Sequence, residues 1–194
     1  MSGEAWNAFD EGYVSAYRWA EALAGGAALP VEASPVALEP GEVAHAHLAP
    51  FTFAAYVTAG FQYQPIFGIF VTGEVAIGRR TAPRTQTHTA GAPRWHGIAT
   101  TDVTVTNRRL IATGGGKTGA LGYAETGPLQ LAPGLDGGPA VEFQPAGGPA
   151  LQLAGPWAPL LYVFARTVVD GRPPEVPIPP AVLARAKAEG RLED

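Results

Sequence analysis

Ten residues near the middle of the chain, Asp102-Val103-Thr104-Val105-Thr106-Asn107-Arg108-Arg109-Leu110-Ile111, restrict the fold more than any other stretch. Val103 and Val105 alternate with Asp102, Thr104 and Thr106, the period of a half-buried strand. Asn107 opens a tight turn, and Leu110-Ile111 continue into a second strand. Four more short strands are expected at 119–124, 128–132, 139–144 and 149–153. They are separated by Glu125-Thr126-Gly127, by Pro133 to Gly138 and by Ala146-Gly147-Gly148. Short strands at regular spacing with such turns are the pattern of a sandwich or barrel. Gly (25) and Pro (19) make up nearly a quarter of 194 residues, but apolar segments are interleaved throughout, so a turn-rich β fold fits better than disorder.

The flanks read differently. Trp6, Phe9, Tyr13, Tyr17, Ala20 and Leu23 recur at helical spacing and predict an amphipathic helix over about 4–24, stopped by Gly25-Gly26. Its aromatic stripe calls for something to dock on. An extended, proline-bearing linker follows. Val43, His45 and His47 then alternate in strand fashion with Ala44, Ala46 and Leu48. From Leu48 to Gly73 no charged residue occurs, and half of the Phe and Tyr residues fall there. A membrane span is rejected, because Pro50, Gly60, Pro65 and Gly68 break any helix and Phe51-x-Phe53 and Phe61-x-Tyr63 alternate with period two. Residues 79–94 read as a long basic loop. Leu160, Leu161, Phe164, Thr167 and Val168 restore a helical period between Gly155-Pro156 and Gly171. A proline-rich stretch and a short polar helix, 181–189, end the chain and look extrinsic to the core. The expected organisation is a helix over 1–26, a linker over 27–36, a β domain over 37–170 and a tail over 171–194.

This order of strands, a sharp Thr-Asn-x-Arg hairpin at 106–109 followed by the aliphatic pair Leu110-Ile111, and one closing helix resembles the bacterial pleckstrin-homology-like domains and their GRAM-like relatives. Gly134-Leu135, a Gly-rich turn, a strand and the helix at 158–170 fit the closing half of that family. The resemblance covers about residues 37–170. The aromatic segment 51–73 and the basic loop 79–94 make the first half longer than a minimal domain of this kind. The fold it implies is mainly β (α+β), a PH-like sandwich or barrel of about seven antiparallel strands closed by one C-terminal helix, with an extra N-terminal helix. The role it implies is binding, since such folds take phosphoinositides, peptides or proteins; the fold alone does not choose among them.

No catalytic apparatus stands out. Serine occurs only at Ser2, Ser15 and Ser34, Gly-x-Ser-x-Gly is missing and the carboxylates are dispersed. With no cysteine, thiolate nucleophiles, disulfides and Cys-based metal sites are excluded together. Gly114-Gly115-Gly116-Lys117-Thr118 is no phosphate loop, because Ile111 stands where its first glycine belongs and no helix pattern follows. His45 and His47, two apart on a strand, are the candidate metal ligands, with His88 or His96 as a third. Arg79, Arg80, Arg84, Arg94, Arg108 and Lys117 are the candidate anion or lipid contacts, in a region with a local excess of positive charge inside a chain of net charge −4. Arg109 has an alternative role in holding the hairpin. Phe61, Tyr63 and Phe67 are candidate partner or ligand contacts if the aromatic segment is exposed. The expected partner is another protein, an anionic lipid headgroup or a second copy of the chain. No cofactor is implied, and the acidic balance does not resemble a nucleic-acid binder. The N-terminus lacks the basic and apolar regions of a signal peptide, so a cytoplasmic location is expected. The alternative is a small β-barrel enzyme or hydrophobic-ligand carrier with a pocket near His45, His47 and residues 51–70.

Overall fold

A computed structural model describes residues 6–57, 92–146 and 148–193. Helix α1 (Ala8–Ala24) starts where the Asn7 side chain accepts a hydrogen bond from the Asp10 N–H at 2.9 Å, an N-cap that satisfies one free helix donor. Strands β1 (Ala44–Val57), β2 (Arg94–Thr106), β3 (Arg109–Gly114) and β4 (Lys117–Gly122) follow, then the short α2 (Tyr123–Thr126). Strands β5 (Gln130–Pro133), β6 (Pro139–Phe143) and β7 (Leu151–Ala154) lead into α3 (Ala158–Asp170), and α4 (Pro180–Ala188) ends the order. The hairpin forms where expected, with Asn107 and Arg108 between β2 and β3 and Val105 opposite Leu110. The phenylalanines and tyrosine at 61, 63 and 67, like Arg79, Arg80, Arg84 and His88, lie outside the described residues.

All seven strands join one antiparallel sheet in the order β4-β3-β2-β1-β7-β6-β5. The expected closure into a barrel is corrected: among the described residues no pairing links β4 to β5, and the sheet is open. Strand β1 is shared between its two halves. All of its length pairs with β2, while only Thr52–Ala55 pairs with β7, opposite Leu151–Ala154. One face of the sheet is covered by α3, whose Leu161, Val163 and Phe164 are buried with Phe51, Phe53, Val103, Val105, Phe143 and Leu153. Each such side chain contributes about 1.5–3 kcal/mol of burial. Gly171 stops α3 in the left-handed region (φ 68°), with its N–H on the Thr167 carbonyl.

Two findings depart from the sequence reading. The strand read from Asp102 begins eight residues earlier, at Arg94, because β2 extends back along the whole distal part of β1, with Arg94 opposite Val57. The tail is not extrinsic to the core. Val176 is buried with the main core, and α4 with Leu192 just beyond it packs on α1 through Val14 and Ala186. The aromatic stripe of α1 is therefore divided. Tyr13 and Trp19 pack on the main core, with Trp19 edge-on to Phe164 at 5.2 Å, while Trp6 and Tyr17 meet α4. None of the helices among the described residues is long and apolar enough to cross a membrane.

The crossing of α1 over the β7–α3 junction needs a glycine. A Cβ at Gly12 would sit 1.8 Å from the Pro156 carbonyl oxygen, so the two backbones meet with no room for a side chain. Gly12→Ala improves helix propensity by about 1 kcal/mol, yet it forces α1 off its seat. A net loss of about 1–3 kcal/mol is expected in urea unfolding, as for other overpacked sites; a variant as stable as the parent overturns this account of the crossing.

Candidate functional site

The hairpin arginines are tied into the fold. Glu42, whose side chain has 0% exposure, lies in the fork of Arg109: Nε donates to Glu42 Oε1 at 2.9 Å and Nη2 to Oε2 at 2.8 Å. The Thr106 hydroxyl donates to Oε1 at 2.7 Å and the Glu39 N–H to Oε2 at 2.9 Å, so the buried carboxylate has four donors. Arg109 also reaches Glu39 Oε1 at 2.7 Å, and the Arg108 guanidinium is 3.7 Å from the same carboxylate. Asn107 accepts the Val43 N–H on its side-chain oxygen and donates its own N–H to the Val43 carbonyl. The Tyr123 hydroxyl donates to the Thr106 carbonyl at 2.9 Å. Burial alone would raise the Glu42 carboxyl, but the hydrogen bonds from Arg109, the Glu39 N–H and Thr106, with the Arg109 charge, outweigh it and hold the group below its ordinary value. Burial, then the Glu42 charge, pushes the Tyr123 phenol upward. This cluster is a lock between the linker and the hairpin. Its carboxylate is saturated by the chain's own donors.

The two histidines are separated by strand irregularity. Ala44 faces Thr106 and Ala46 faces Val105, so one extra residue of β1, His45, is bulged out of the ladder. His45 is buried, and its Nδ1–H donates to the Pro30 carbonyl at 2.7 Å, the carbonyl being able only to accept. His47 is exposed, with Nδ1 3.1 Å from the Thr104 hydroxyl. His96 faces Ala55, eight residues further along β1 and about 26 Å away along the strand at 3.3 Å per residue. His45 and His47 bond different partners, Pro30 and Thr104, and no group of three metal-ligating side chains occurs among the described residues.

The described members of the basic set are likewise dispersed. Arg94 begins β2 and Arg108 follows its end, so about 40 Å of strand separates them. Arg94 Nε contacts His96 Nε2 at 3.4 Å, Arg108 is engaged with Glu39, and Lys117 sits at the β3–β4 turn. Arg94, Arg108 and Lys117 therefore make no single patch.

What the fold does bring together is a groove of about 630 Å³ that sequence reasoning did not identify. Phe9 and Tyr13 of α1 form one wall, the β5–β6 hairpin with Leu131, Pro133 and Pro139 a second, and Pro177 and Pro179 of the C-terminal segment a third. Burial raises the Tyr13 phenol above its ordinary value. The hairpin is shaped by Asp136, whose Oδ1 accepts the Gly138 N–H at 3.1 Å. A Cβ at Gly138 would lie 2.7 Å from Phe9 Cε1, so the bare backbone there lets the ring close against the turn. The only sequence signal was the density of Gly and Pro at 133–139 and 173–180, in segments about forty residues apart and more than a hundred from Phe9.

No protein-family model matches the chain, and no curated protein or solved structure matches it.

The lock has a defined pH signature. A carboxyl whose folded pKa lies below its unfolded value stabilises the fold above the unfolded pKa, and that stability is lost as pH falls through the folded one. Glu42→Gln is expected to cost about 1–3 kcal/mol at pH 7. The gap to the parent should narrow as pH drops below the ordinary carboxylate range, measured by urea unfolding at several pH values. A gap independent of pH would show that the carboxylate charge is not what the lock uses.

Proposed function

We propose that the chain is a non-catalytic binding module of PH-like architecture that holds an extended, apolar segment of a protein partner in the groove between α1 and the β5–β6 hairpin. The carrying observation is the groove itself: two aromatic rings and four prolines converge around an open channel rimmed by one carboxylate, Asp136. Rigid aromatic and proline surfaces suit a polyproline-type or extended peptide, because little side-chain entropy is lost on either side. A meander of four strands, a second run of three, a long first strand shared between them and a helix over one face support the PH-like reading. The lipid alternative has less support, since Arg108 and Arg109 are engaged by Glu39 and Glu42. The enzyme or carrier alternative centred on His45 and His47 has less support still, since the His45 imidazole is buried and bonded to the Pro30 carbonyl.

Titration with a proline-rich peptide carrying one basic residue, followed by amide chemical shifts, tests this. Saturable shifts are expected at Phe9, Tyr13, Gly137 and Gly138, and Phe9→Ala should weaken binding at least about tenfold, as for a buried aromatic anchor. No shift at millimolar peptide, or equal binding by Phe9→Ala, overturns the groove as the site. Preferential co-sedimentation with anionic over neutral vesicles would restore the lipid reading.

A further inference from the structure

We infer that α4 is an electrostatically held latch on α1, whose release frees the proline wall of the groove. The Trp6 ring is clasped between two guanidiniums, Arg185 and Arg191, each 4.3 Å from its centroid. Its indole N–H donates to Glu189 Oε2 at 2.5 Å. Arg191 pairs with Glu11 at 2.6 Å, Arg185 lies 3.7 Å from Asp10, and Arg18 donates through Nε and Nη2 to the Arg191 carbonyl. The acidic first turn of α1 thus meets the basic last turn of α4.

The apolar part of this interface is a satellite cluster separate from the main core: Val14, Ala186 and Leu192 are buried, with the half-buried Trp6, Tyr17, Ile178, Val182 and Leu183 packed around them. Between the anchored Val176 and α4 stand only Pro177, Ile178 and Pro179, and both prolines line the groove. A stiff proline lead transmits the position of α4 to that wall, since such a segment does not absorb displacement by bending. A unit joined to the rest through a satellite cluster and partly exposed charges opens below the global unfolding free energy, and it opens more readily when salt screens those charges.

The consequence for partner binding rests on the groove proposed above, whereas release of α4 is measured on the free chain, so the two fail separately. Amide hydrogen exchange of the full chain should be followed while NaCl is raised from about 0.1 to 1 M, which shortens the screening length from about 10 to 3 Å. Protection at Ile178, Leu183, Glu189 and Gly190 should fall about tenfold while Leu161 of α3 and its cap Gly171 keep theirs. Arg191→Gln should show the same selective loss already at low salt, and Arg185→Gln a parallel one. Protection of α4 within about twofold of its starting value under both treatments overturns the latch. So does loss of α3 and α4 protection in step, because α4 would then open only with the whole fold.

Discussion

The bidentate pair between Glu42 and Arg109 is the constraint from which much of the sheet follows. Taking a carboxylate fully out of water is expensive unless its lone pairs are matched, and here Arg109, Thr106 and the Glu39 N–H match them. The pair joins two segments 67 residues apart. Glu42 stands two residues before β1, and Arg109 is the first residue of β3, so the lock sets where β1 enters beside β2. Asn107 reinforces it by exchanging hydrogen bonds with Val43. With the register fixed at that end, bulges at His45 and between Leu48 and Phe51 keep Ala46, Leu48, Phe51 and Phe53 facing the core despite the extra residues.

The helices add a second layer with a different chemistry. α3 is an apolar plug whose position is set by volume, and its contacts are those of a core. α1 is two-sided. Ala16, Ala20 and Leu23 belong to the main core, while Val14 and Tyr17, with Trp6 just before the helix, meet α4 through a satellite apolar cluster flanked by ion pairs. The groove lies where these regimes meet, with one wall from α1, one from the sheet edge and one from the proline lead into α4.

Local pattern carried the parts of the fold that depend on neighbours in sequence. The turn at Asn107-Arg108 and the α3 stop at Gly171 are short-range chemistry, and both stand where the sequence places them. The first eight residues of β2 were not legible, because Arg94 to Thr101 lack strict alternation and gain their strand from pairing with β1. The bulge at His45 was not legible either, because strict alternation carries no sign of an extra residue in the ladder. Arg109 looked like one of several cations, and only the approach of Glu42 shows it to be a structural partner.

The sequence by itself determined an antiparallel, turn-rich β fold with one closing helix, because alternation, helical period and glycine or asparagine turns act over a few residues. Tertiary structure decided that the described strands form an open sheet, that the terminal helices pack together and that aromatic and proline side chains from three distant segments line one groove. Those outcomes depend on which surfaces exclude water together and which charges find one another across 60 to 180 residues, as Glu42 finds Arg109 and Glu11 finds Arg191. No local pattern encodes such meetings.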